Sequence, residues 1–191
     1  MLLLFSILTA QADWQEAATS HGCTIYKGSL EGDIQPLRAT CEWDVPLRQV
    51  QAILSDQEQQ VQTFSTLRQS VTLDPPIADP PRGTEWVYQV HGISGAPERE
   101  VVLKITSEQS ADRWRQEWTR ADDQSELIGM VEILTNDGFW EFTTTPTGTT
   151  TVTYESRYKD SGRLPVRMSR TFQLSRVKQM LTELAAAAEV H

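Results

Sequence analysis

Between residues 66 and 157 apolar side chains recur at every second position, the period of a strand with one face buried. Leu67, Gln69, Val71 and Leu73 form one such run; Trp86, Tyr88 and Val90 form the next, followed by Val101, Leu103 and Ile105. Trp114, Gln116 and Trp118 then alternate with Arg113, Arg115 and Glu117. Two further strands are predicted over 127–134 and 138–144, with Asn136-Asp137-Gly138 as the hairpin turn between them, and a last one over 148–157. Asp74-Pro75-Pro76-Ile77-Ala78-Asp79-Pro80-Pro81 can be neither helix interior nor strand and reads as a loop. Strands joined by short turns predict an antiparallel meander.

Before this region, residues 13–20 are predicted to form a short helix and 22–45 a hairpin turning near Gly32. In its second strand Leu37, Ala39, Cys41, Trp43 and Val45 share one face. A helix starts at Asp44-Val45-Pro46, proline being welcome in the first turn, and carries Leu47, Val50, Ile53 and Leu54 at helical spacing. A polar run, 56–60, leads on to Val61 and Phe64. After the turn at 160–165 the period changes again, and one helix is predicted from about Pro165 to Glu189. With residues about 100° apart, Val166, Val177, Met180, Leu181, Leu184 and Ala188 form a stripe that should lie on the sheet. The first half breaks the pattern. Met168 and Phe172 fall on the opposite side, while Arg170 and Gln173 fall within the stripe. Either that half lines a pocket, or its packing is irregular or the helix starts later.

A length of 191 residues suits one domain with enough material for a core and a pocket wall. The formal charge of −9 argues against nucleic acid and against a polybasic membrane patch, and otherwise reads as solubility. Residues 1–12 are apolar and end in Ala10-Gln11-Ala12, the form of a signal peptide and its cleavage site, although no Lys or Arg follows Met1. The expectation is therefore a signal peptide over 1–12, one domain over 13–191, and a periplasmic or secreted protein; a buried N-terminal helix is the alternative. The predicted hairpin puts Cys23 opposite Cys41, and in an exported protein that pair reads as a disulfide, otherwise as two buried thiols.

Little in the chain suggests catalysis. His21, His91 and His191 lie in no nucleophile motif, and Gly92-Ile93-Ser94-Gly95 is one residue short of a nucleophile elbow. Ser156 and Lys159 match a Ser-x-x-Lys spacing, but in a strand that spacing points them to opposite faces. There is no metal-ligand spacing and no glycine-rich phosphate loop, so neither metal nor cofactor is expected. Strand aromatics do stand out: Trp43, Trp86, Tyr88, Trp114, Trp118, Trp140 and Tyr154. Such side chains build apolar ligand sites and, equally, ordinary cores.

Several segments, in this order, carry a resemblance: 43–47 with 54–56, Pro97-Glu98-Arg99-Glu100-Val101-Val102-Leu103, Gly138-Phe139-Trp140-Glu141-Phe142, 148–154, and Asp160-Ser161-Gly162-Arg163-Leu164-Pro165 before the last helix. Over roughly residues 14–188 the chain resembles the START (StAR-related lipid-transfer) domains, in particular small exported bacterial members. The resemblance implies an α+β helix-grip fold, a curved antiparallel sheet wrapped around a long C-terminal helix with a lipid tunnel between them, gated by a loop at 157–165. Arg99 matches an arginine that points into the tunnel in several members; as a surface strand residue it would instead sit beside Glu98 and Glu100. A guanidinium in an apolar tunnel needs a partner, and Glu85 on the preceding strand is a candidate.

Three functions compete on these grounds. The first is a module that binds a lipid or other apolar small molecule for transport or sensing, without chemistry, using Arg99, Trp86, Tyr88, Trp118, Met168 and Phe172. It would act as a monomer with transient membrane contact. The second is an enzyme of the cyclase or dehydratase type found in the wider superfamily, which needs ionisable pairs converging in the pocket. The third is an interaction protein with a vestigial pocket, marked by an exposed aromatic patch.

Overall fold

A single nine-stranded sheet organises the chain, ordered β1-β2-β3-β9-β8-β7-β6-β5-β4. The structure is a computed structural model and describes residues 13–92, 96–162 and 165–190. The signal-peptide segment 1–12 therefore lies outside the described residues, as do Ile93, Ser94, Gly95 and, within the proposed gate, Arg163 and Leu164. The strands are β1 (Gln15–Ser20), β2 (Cys23–Lys27), β3 (Leu37–Trp43), β4 (Leu67–Leu73), β5 (Thr84–His91), β6 (Arg99–Gln109), β7 (Arg113–Arg120), β8 (Val131–Thr144) and β9 (Thr150–Asp160). Helices α1 (Leu47–Leu54) and α2 (Gln57–Thr63) lie between β3 and β4, and α3 (Val166–Val190) follows β9.

Neighbouring strands pair antiparallel, so the meander closes each backbone group onto the next strand. One contact is parallel. β7 is short, and beyond its end β6 meets β8 directly at Arg99↔Val131 and Glu100↔Glu132. This contact curls the sheet where Arg99 emerges.

Two sequence expectations are corrected. Residues 13–20 are not a helix; Gln15–Ser20 form an edge strand on β2. This segment lacks a continuous helical apolar stripe, and pairing satisfies the backbone of β2 that would otherwise be an open edge. Nor do Asn136-Asp137-Gly138 turn. All three are paired within β8, which runs unbroken for 14 residues, and 127–130 belong to the preceding loop. Gly138 serves close approach instead. A Cβ on it would collide with the Glu155 backbone carbonyl oxygen and stand 2.7 Å from the Trp118 ring and 3.0 Å from the Ser156 Cα.

Other features follow the pattern. Cys23 and Cys41 are register partners and are joined by a disulfide. Leu37, Ala39, Cys41, Trp43 and Val45 are all buried. Pro46 stands at the N-cap of α1 with φ −65°, where its missing N–H costs nothing. The polar run is a second helix, α2, because the Asp56 carboxylate caps its start by accepting the backbone N–H groups of Glu58 and Gln59. Along α3 the buried residues are Val177, Leu181, Leu184, Ala185 and Ala188, so the predicted stripe holds in the second half, whereas Val166 is exposed.

Candidate functional site

The concave face of the sheet and the first half of α3 enclose a cavity of about 350 Å³. That lies at the lower end of the range for small-molecule sites, roughly 300–1,000 Å³. α3 contributes Met168, Phe172, Arg176 and Met180, a row spaced by four, together with Ser169, Gln173 and Val177 beside it. Met168 and Phe172 remain 49% and 42% exposed while lining the cavity, which puts them at its mouth. The apolar wall includes Leu37, Leu54, Phe64, Leu67, Trp140 and Tyr154. Trp118 closes one side, its ring 5.9 Å from that of Tyr154, and its indole N–H donates to the Asn136 side chain at 3.0 Å.

Polar groups gather at the end served by the first half of α3. Arg99 is 3% exposed and Asp160 8%; the Arg99 Nε–H donates to Asp160 at 2.5 Å, and a second guanidinium nitrogen donates to the Pro97 carbonyl at 2.7 Å. Sixty-one residues separate this pair, yet β8 holds them together by pairing Val131 with Arg99 and Ile133 with Asp160. The Tyr158 hydroxyl lies 3.5 Å from Asp160, and burial pushes its phenol upward. Gln173 donates to the Tyr158 carbonyl at 3.0 Å. His91 is buried and hydrogen-bonded to Arg176. Burial first, then the positive charges of Arg176 and Arg99, hold its imidazole well below the usual range, so it is neutral and its Nδ1 accepts from the guanidinium.

Of the six residues picked from sequence, Arg99, Trp118, Met168 and Phe172 line this cavity. Trp86 and Tyr88 do not, a correction of the sequence reading. They lie on the other face of the sheet with Val90 and Val102, under Leu127 and Met130 of the loop that follows β7. That loop is held by Glu100, which accepts the N–H groups of Ile128, Gly129 and Met130 and the Tyr88 hydroxyl. The inner face of β5 instead shows Gln89 and His91 to the cavity. The partner expected of Arg99, Glu85, is hydrogen-bonded to Gln57; Asp160 takes that place. Sequence reasoning missed His91, Tyr158, Asp160 and Arg176 as site residues. For Arg176 a signal existed, since it continues the Met168–Phe172 row at the same spacing.

No protein-family model and no curated protein matches the chain. Solved structures do. The STAR-related lipid transfer protein of Xanthomonas axonopodis (fragment 25–204) superposes with a TM-score of 0.79 at 18% identity, covering 92% of this chain and 98% of that one. The chain has the START-domain fold. Human StAR-related lipid transfer protein 5 gives a TM-score of 0.79 at 15% identity, with 95% and 88% coverage. The Zhui aromatase/cyclase from Streptomyces sp. R1128 is more distant, with a TM-score of 0.56 at 12% identity and 82% and 94% coverage. At these identities the likeness establishes the helix-grip architecture, and the START-fold cavity of this chain has to be read from its own residues.

Proposed function

We propose that this protein binds a lipid or other apolar small molecule in the cavity between sheet and α3, for transport or sensing, and performs no reaction on it. The observation that carries this is the cavity itself: a largely apolar wall, the charged pair Arg99–Asp160 gathered with Arg176 and His91, and Met168 and Phe172 exposed at the mouth. An amphiphile matches that division. The names of the START-fold relatives, two of them lipid transfer proteins, point the same way. The Cys23–Cys41 disulfide supports an exported, oxidising location, and release or uptake of a lipid implies transient membrane contact.

A second reading, an enzyme of the cyclase or dehydratase type, draws on the convergence of His91, Arg99, Tyr158, Asp160 and Arg176 and on the fold shared with a cyclase. Binding is favoured because these groups are engaged with one another. Asp160 is paired with Arg99, the Nδ1 lone pair of His91 is taken by Arg176, and burial raises the Tyr158 phenol, which keeps its proton.

Ser156 is the place to test the reading, since this small buried side chain of β9 lines the cavity. Ser156→Phe should fill the space and lower uptake of a fluorescent fatty acid by about tenfold or more, the scale of 1.4 kcal/mol, with an unchanged far-UV circular dichroism spectrum. Equal uptake by the folded variant and the wild type would remove the cavity from the account.

A further inference from the structure

Two arginines line the cavity, and only one has a counter-ion. Arg99 is matched by Asp160 at 2.5 Å. Arg176 forms no ion pair with any described residue. Its guanidinium is nevertheless fixed in place: it donates to the neutral His91 ring and lies 5.5 Å from the centre of the Tyr158 ring. Glu100, next to Arg99 on β6, does not reach it: its side chain is turned to the outer face and accepts from Tyr88 and three backbone N–H groups. The polar end thus carries one uncompensated positive charge, in a chain whose formal net charge is −9. A cation partly removed from water without a partner is costly, and a ligand that brings one negative charge removes that cost.

We propose that the ligand is a single-chain amphiphile with a monoanionic head, a carboxylate or a phosphodiester, and that Arg176 receives the head while His91 positions the guanidinium. This rests on the tunnel-binding reading above and narrows it. Three features set the ligand's orientation and size. The cavity of about 350 Å³ favours one chain over two. Phe172 sits one helical turn before Arg176 at the mouth, and Val177 and Met180 follow it along the apolar wall. The head therefore lies beside Arg176 near the mouth, and the chain runs past Met180 toward Leu54 and Phe64. Arg99 is not the head-group residue, because its charge is already compensated by Asp160.

The test measures binding of oleate, methyl oleate and monoacyl phosphatidylglycerol to the whole mature protein by isothermal titration. Oleate and its ester share the chain and differ in the charge and one methyl group of the head, so the change in their affinity ratio on Arg176→Gln isolates the role of Arg176. The wild type should bind oleate about tenfold tighter than the ester or better, the scale expected of a charge-assisted contact. In Arg176→Gln that ratio should fall to about one, and Arg176→Lys should restore part of it. Monoacyl phosphatidylglycerol binding tighter than oleate would identify the phosphodiester as the source of the charge; the reverse order would identify the carboxylate. Equal affinity of the wild type for oleate and ester, or an oleate preference that survives Arg176→Gln, overturns the proposal while leaving the tunnel in place. Binding of none of the three overturns the proposal and the tunnel reading together.

Discussion

Arg99 shows how a single side chain takes its meaning from its surroundings. At 3% exposure it would be a severe cost without Asp160, and Asp160 would be equally stranded without Arg99. Removing either partner should destabilise the fold by about 3–5 kcal/mol, because a buried charge is left alone. Removing both should cost less than the two single changes added together. The check is a double-mutant cycle of Arg99→Met and Asp160→Leu by urea unfolding; simple additivity would mean the two charges do not sense each other. The motif that marks Arg99 was visible in the sequence, but its partner was not. Asp160 lies 61 positions away on β9, three places across the sheet and reached through the direct β6–β8 contact, and a local pattern has no access to that distance.

Among the elements, β8 is where local reading failed, for a definite reason. Asn-Asp-Gly is a strong hairpin signal only when the glycine is used for its left-handed conformation. Gly138 is used because the Glu155 carbonyl of β9 and the Trp118 ring lie against it, and Trp118 in turn walls the cavity. Gly138→Ala should therefore cost about 1–3 kcal/mol through overpacking and shift the tryptophan emission. A neutral effect on the denaturation midpoint would mean that both the β9 backbone at Glu155 and the Trp118 ring have room to move aside. The faces of β5 were open in the same way. Alternation showed that Trp86, Tyr88 and Val90 share a face and that Gln89 and His91 share the other, yet it could not say which face is concave. The loop after β7 covers the aromatic face and Glu100 clamps it there, so two large aromatics are buried outside the cavity.

For the whole molecule, the pH dependence of stability separates into windows. His91 cannot take up a proton in the folded state at the ordinary imidazole pKa near 6.5 but can when unfolded. Its contribution is complete above that value and is lost as pH falls below it, at up to about 1.4 kcal/mol per pH unit. The carboxylates act lower. Glu100 and Glu141, held down by hydrogen bonds and by arginines respectively, lose their contribution as pH falls through the carboxylate range, while Glu85 and Asp137, raised by burial, work the opposite way there. The urea midpoint of the wild type should thus drop between pH 7.5 and 5.5, and that of His91→Gln should change little; parallel curves would contradict this account.

The antiparallel meander, the disulfide register, the long last helix and the ordered motifs of the START fold were all legible along the chain, because periodicity, turn chemistry and strand pairing between neighbours are local properties. The spacing of Met168, Phe172, Arg176 and Met180 was legible too, though not its purpose. The tertiary structure decided the rest: that residues 15–20 add an edge strand, that β8 runs straight through its apparent turn, which side of β5 is concave, and that Asp160 compensates Arg99 while Arg176 has no such partner among the described residues. Curvature and charge pairing arise between segments far apart in sequence, and only the assembled sheet brings those segments within contact distance.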